Sequence, residues 1–125
     1  MTTWTTDELE TIGDADELGI SSRRADGTLR PYITIWMVRV GDELYIRSAH
    51  GVDNPWYRRA IASGEGSIRS AGIEKDVTFG DAAPHLHADI DAAYHAKYDR
   101  YGARVVNPVV GVHSYAATIR LVPAG

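Results

Sequence analysis

Residues Arg30 to Gly64 read RPYITIWMVRVGDELYIRSAHGVDNPWYRRAIASG, which is the longest apolar segment of the chain joined to its densest cluster of arginine, histidine and aromatic residues. From Arg30 to Val40 both alternating sets are apolar, Ile33/Ile35/Met37 on one side and Tyr32/Trp36/Val38/Val40 on the other. That pattern predicts a central strand covered on both faces. Gly41-Asp42 supplies turn chemistry, and Glu43 to Ser48 returns as a second strand, so the two form a hairpin. After the loop Ala49 to Asp53, Asn54 is a favourable helix cap and Pro55 fits the first helical position. A helix is expected from there to Gly64.

A helix N-terminus offers unpaired N–H groups and a partial positive charge. Arg47 and Ser48 leave their strand beside it, His50 sits in the loop, and Arg58 and Arg59 fall in the first turns. Cations at a helix start oppose its dipole. They therefore point either to a phosphate or carboxylate ligand held by charge-assisted bonds, or to pairing with nearby surface carboxylates.

The rest of the chain reads as support. Thr5 and Glu8 have capping-box spacing ahead of a short helix with Leu9 and Ile12 on its apolar stripe, ending at Gly13. Gly19 to Arg23 reads as a strand, and the turn Ala25-Asp26-Gly27-Thr28 pairs it with the long one. Gly66 to Ala71 and Ile73 to Phe79 form another hairpin around Gly72. Pro84 opens a helical segment to about Gly102, with Leu86, Ile90, Ala93, Tyr94, Lys97 and Tyr101 on one face and Tyr98 at its margin. Asn107-Pro108 is a turn. The chain closes on a strand from Ser114 to Val122, where Tyr115, Ala117, Ile119 and Leu121 alternate with polar or small residues. The fold class is mainly β with short helices (α+β), a small antiparallel barrel closed by its terminal strand.

At 125 residues, 44% hydrophobic and 24% charged, the chain fits one globular domain. A net charge of -4 without a basic stripe argues against nucleic acid as a partner. No apolar run is long enough to span a bilayer and the N-terminus is acidic, so a cytoplasmic, membrane-free protein is expected. The absence of cysteine excludes disulfides, thiolate nucleophiles and cysteine-ligated metals. An aromatic load of three tryptophans and seven tyrosines exceeds what one small core readily buries, which predicts a homodimer.

Three further constellations bear on chemistry. His87, Asp91 and His95 share one helical strip with His85 nearby, but without a metal-binding signature; a solvated face or an Asp91–His95 ion pair explains them as well, and no metal is assigned. Tyr94, Tyr98 and Tyr101 with Arg100 and Arg104 form an aromatic and basic cluster, mostly core, from which a tyrosine could donate a proton. Ser48 with His50 lacks the nucleophile elbow and third member of a hydrolase.

The order hairpin, RSAHG loop, NPWYRRA helix and second hairpin resembles the deazaflavin-dependent nitroreductase branch of the FMN-binding split-barrel proteins. The resemblance runs from about Thr28 to Phe79 and rests on Ser48, Gly51, Pro55, Trp56 and Tyr57. The whole chain is also similar to a family of short bacterial proteins known as a domain of unknown function, through TTDEL, DGTLRPY, PWYRRA and AYHAKYDRYG. The first resemblance implies a split β-barrel, commonly homodimeric, that binds a deazaflavin coenzyme or FMN through Arg47, Ser48, Trp56, Arg58 and Arg59. With Trp36 or Trp56 as a stacked wall, the expected activity is hydride transfer to a small electron-poor acceptor, and Tyr98 or His50 would supply the proton. The alternative, in a different class, is a cofactor-free barrel that binds an anion or small ligand.

Overall fold

The computed structural model of the chain describes residues 3–124. Its strands are β1 (Leu18–Ser22), β2 (Ile33–Ile35), β3 (Val38–Val40), β4 (Glu43–Arg47), β5 (Glu65–Ser70), β6 (Ile73–Gly80) and β7 (Thr118–Pro123). They form one antiparallel sheet in the order β2-β1-β5-β6-β7-β4-β3, curled into a split half-barrel. Five helices join them: α1 (Thr6–Asp14), α2 (Pro55–Ser63), α3 (His87–Tyr98) and the single turns α4 (Ala103–Val106) and α5 (Val112–Tyr115).

The stretch Arg30 to Val40 departs from its sequence reading. It is two edge strands, not one central strand: β2 pairs only with β1, through Leu18 with Ile35 and Ile20 with Ile33, and β3 pairs only with β4. These edges are opposite ends of the sheet, so the link Trp36-Met37 carries the chain from one to the other, and the sheet must curl to let two residues span that gap. The double-sided apolar pattern has this cause. Met37 faces the barrel interior with Leu44 and Ile46, whereas Val38 joins a second cluster outside the barrel. The strand covered on both faces is β4, whose Leu44 and Ile46 point inward while Tyr45 packs outward with Ile90, Tyr94 and Tyr98 of α3.

Local signals hold elsewhere. Thr5 and Glu8 make the reciprocal capping box, the Glu8 amide donating to Thr5 Oγ1 at 3.1 Å and the Thr5 amide to Glu8 Oε1 at 2.8 Å. The β5–β6 hairpin turns through Ala71 and Gly72, both at positive φ. β7 sits between β6 and β4, with Leu121 opposite Phe79 and Leu44, so the terminal strand joins the two halves of the barrel.

The C-terminal region needs two corrections. Ser114 and Tyr115 are helical, not part of the last strand, because the Ser114 amide and hydroxyl both donate to the Gly111 carbonyl and the Thr118 hydroxyl donates to the Ser114 carbonyl. Tyr98 is fully buried and Tyr101 exposed, the reverse of the expected face, because α3 ends at Tyr98 and tightens into a 3₁₀ turn that changes the phase. The chain buries more of its aromatic residues than its size suggests. Trp4 is buried, its indole N–H donating to the Leu121 carbonyl, and two separate clusters take up Tyr45, Tyr57, Tyr94 and Tyr98.

Candidate functional site

The bend at Trp36 and the start of α2 face each other across a groove of about 360 Å³. Asn54 Oδ1 accepts from the Trp56 amide at 3.3 Å, Pro55 occupies the first helical position, and Gly64 closes the helix at φ 74°. This local frame projects Trp56 into the groove. Trp36, Trp56, Ile33, Ile35 and Val109 make the apolar walls, with His50 and Asn54 as polar members. Trp36 is held by a stack on Tyr98, centroids 4.0 Å apart and planes within 4°.

Trp56 and Ile33 also line an adjoining cavity of about 270 Å³ between α2 and the β1–β2 edge, where Arg30 and Arg59 lie with Ser22. Farther out, Arg58 joins Arg23, Arg24, Arg30 and Arg59 around a shallow depression. Among the described residues, Arg30, Arg58 and Arg59 have no ion-pair partner. The arrangement is an apolar slot beside a cationic cavity, with Trp56 and Ile33 common to both, which suits a flat aromatic ligand with an anionic substituent.

Arg47 lies apart from this cation group. Its side chain is fully buried and its guanidinium is spent inside the protein: Nε on Thr118 Oγ1 at 2.9 Å, Nη1 on Asp91 Oδ1 at 2.5 Å and the Val109 carbonyl at 2.8 Å, Nη2 on His87 Nδ1 at 3.2 Å and the His87 carbonyl at 3.4 Å. All five N–H donors are engaged, so Arg47 fixes the Val109 wall of the groove and has none left for a phosphate. Burial favours the neutral form of Asp91, but bonds from Arg47, the Gly111 amide and Tyr115 outweigh it and hold the carboxyl below its ordinary value. His87, stacked on Tyr115 at 4.2 Å, is pushed below its ordinary value by burial and then by the Arg47 charge.

The other expected residues separate in the same way. Ser48 is buried and does not line the groove, although Ala49 and His50 after it do; among the described residues its hydroxyl has no hydrogen-bond partner. The Tyr98 side chain is fully buried: its hydroxyl bonds the Asp16 and Met37 carbonyls at 2.8 and 2.9 Å and accepts from the Met37 amide at 3.2 Å, and burial raises its pKa. It anchors the bend. His95 pairs with Asp99, not Asp91, and among the described residues no three His, Cys, Asp or Glu side chains gather as metal ligands. Of the sequence candidates, Trp36, Arg47, His50 and Trp56 line the groove, Arg47 with its donors already engaged, and Arg59 lines the adjoining cavity. Arg30 was missed, although it opens the quoted stretch; its cation role depends on α2 folding back over β1.

One family, described as an uncharacterized protein conserved in bacteria (DUF2255), matches residues 8–121. The chain belongs to that family. No protein in a curated set matches it. Among solved structures, an F420 reductase aligns at TM-score 0.54 and 15% identity, covering 94% of this chain and 93% of its own. The heme storage protein HutZ from Vibrio cholerae aligns at TM-score 0.65 and 12% identity, covering 95% and 89%. A domain-swapped dimer aligns at TM-score 0.63 and 16% identity, covering 94% and 87%. At these identities the likeness shows the split-barrel fold alone. Among the described residues of the DUF2255 chain, no helix is long and apolar enough to cross a membrane.

Proposed function

We propose that the groove binds a flavin or deazaflavin coenzyme and that the protein is an oxidoreductase acting on small electron-poor acceptors. The observation that carries this reading is the tryptophan-walled slot lying against the cavity of Arg30 and Arg59, with Trp56 and Ile33 in the walls of both and, among the described residues, no carboxylate paired with either cation. The fit is chemical: Trp36 and Trp56 suit the faces of a tricyclic ring, and the two guanidiniums suit a phosphate. When bound, such a coenzyme supplies the hydride. The chain's own residues do the rest. Trp36, Trp56 and Val109 exclude water from the ring, Arg59 and Arg30 orient it through its anionic end with Arg58 at the outer margin, and His50 delivers a proton from a ring nitrogen at the groove. Arg47 acts here through Val109 and not as an anchor.

The fold neighbour that is an F420 reductase supports a coenzyme of this general class. A homodimer is part of the same proposal, supported by the domain-swapped dimer among the neighbours; sedimentation giving a monomer at tens of micromolar would remove it. The competing reading, a cofactor-free barrel for a small anion, is favoured by one observation, the full engagement of Arg47 at the strand end that the resemblance assigns to phosphate. Calorimetric titration with FMN and with the deazaflavin coenzyme separates the two. Binding tighter than roughly 100 μM, equivalent to about 5 to 6 kcal/mol, and oxidation of the reduced coenzyme by quinones or nitroaromatics support the enzyme. Failure of both coenzymes, with retained binding of inorganic phosphate, supports the binding protein.

A further inference from the structure

The chain has two lysines, Lys75 and Lys97, in contrasting surroundings. Lys75 Nζ lies 2.7 Å from Glu8 Oε2 in an ion pair. Lys97, in the last turn of α3, has no ion pair among the described residues. Its Nζ donates to the Met37 carbonyl at 3.0 Å, touches Met37 Sδ at 3.2 Å and lies 5.2 Å from the Tyr98 ring centroid. Beside it an open cleft of about 350 Å³ separates α1 from α3, with Leu9, Val38 and Ala93 in its walls and Glu10, Asp14 and Arg39 among its charged groups.

We propose that Lys97 is an acylation site, its amine accepting an acyl group from a thioester that presents an uncharged acyl end to the cleft between α1 and α3. The nitrogen lone pair attacks the thioester carbonyl, the amide C–N bond forms as the C–S bond breaks, and the thiolate leaves while the amine's proton passes to solvent. No oxidant or reductant is needed, and the inference stands independently of any coenzyme in the groove.

Three features converge. Burial lowers the Lys97 ammonium to about 8, with Asp16 and Asp14 pulling it up and Arg100 opposing them. Near pH 8 about half of it is free base, against less than about 1% for a lysine at its ordinary value of about 10.4. The product also suits the place: an amide keeps one N–H for the Met37 carbonyl and is easier to bury than an ammonium. In the cleft the carboxylates Glu10 and Asp14 outnumber the single guanidinium of Arg39, and Asp16 beyond it is paired with Arg100, so a small anionic donor such as an acyl phosphate is disfavoured and an uncharged acyl end is specified.

The test is to incubate the full chain with the acetyl thioester of N-acetylcysteamine, and separately with acetyl phosphate, and to follow acetylation of both lysines by peptide mass spectrometry from pH 6.5 to 10.5. Lys97 is expected to react at least about threefold faster than Lys75 at pH 8, a margin that allows for the lower nucleophilicity of a less basic amine. Its rate should level off near pH 8 while that of Lys75 keeps rising, and the thioester should outpace acetyl phosphate at Lys97. Asp14→Asn with Asp16→Asn should move the plateau to lower pH. Equal or preferential labelling of Lys75, a Lys97 rate that rises in parallel with it up to pH 10, or no labelling of Lys97 in the folded chain overturns the proposal.

Discussion

Replacing Asp91 by asparagine tests whether the Arg47 cluster holds the groove wall. The substitution keeps shape but removes the charge from a pair in which the Arg47 side chain is fully buried and that of Asp91 is 21% exposed. Breaking a buried pair from one side costs about 3 to 5 kcal/mol, and the partial exposure of Asp91 brings the expectation to about 2 to 4 kcal/mol. An asparagine also presents an amide N–H₂ where three donors now converge, from Arg47, the Gly111 amide and the Tyr115 hydroxyl. For a domain of this size about 1 kcal/mol corresponds to about 4 °C, so the melting temperature should fall by about 8 to 16 °C. The pH dependence carries a sign. Asp91 is held below its ordinary value in the folded chain, so its contribution is fully present above the unfolded value of about 3.9 and is lost as pH falls toward the depressed folded value. Urea unfolding of the wild-type protein and Asp91→Asn, at pH 7 and at steps from pH 5 to 2.5, measures both effects. The two stabilities should converge in acid. A loss under about 0.5 kcal/mol at pH 7, or an unchanged gap at pH 3, refutes the reasoning.

Arg59→Ala and Arg30→Ala should each weaken FMN or deazaflavin binding by about 1.5 to 3 kcal/mol, whereas Arg58→Ala, on the outer face, should do less; titration calorimetry decides. Gly66→Ala should fail to fold or lose most of its stability, because the new Cβ would stand 1.9 Å from the Ser21 carbonyl oxygen, backbone that cannot swing away; soluble yield and urea unfolding report it. His87 should titrate below the ordinary histidine value in an NMR pH series, and folded stability should fall as pH drops from about 6.5 toward that value, since the unfolded chain takes the proton first; His87→Gln should abolish that slope. Tyr98→Phe should cost about 1 to 3 kcal/mol by stripping the Met37 amide of its acceptor and should leave the ionisation that governs coenzyme oxidation unmoved in a pH–rate profile.

Sequence by itself determined the features whose causes lie within a few residues. The Thr5–Glu8 box, the Asn54-Pro55 start and Gly64 stop of α2, the turns at Gly41 and Gly72, and the inward set Ala117, Ile119 and Leu121 follow from hydrogen bonds and side-chain periods that a short peptide already specifies. The family resemblance carried by the hairpin, loop and helix named the split barrel, and the same stretch nominated Arg47, Ser48, His50, Trp56, Arg58 and Arg59 around one helix start, with Tyr98 added from the long helix. What the tertiary structure alone decided are partnerships across long separations. Arg47 finds Asp91 44 residues away, and Trp4 finds the Leu121 carbonyl 117 residues away. Arg30 comes beside Arg59 only because α2 lies against β1 and β2. The clearest case is Arg30 to Val40, where an apolar set on both sides is compatible with one strand covered twice or with two edge strands and a bend. Alternation records only that each side chain leaves water, and the closure of the sheet chooses which core receives it.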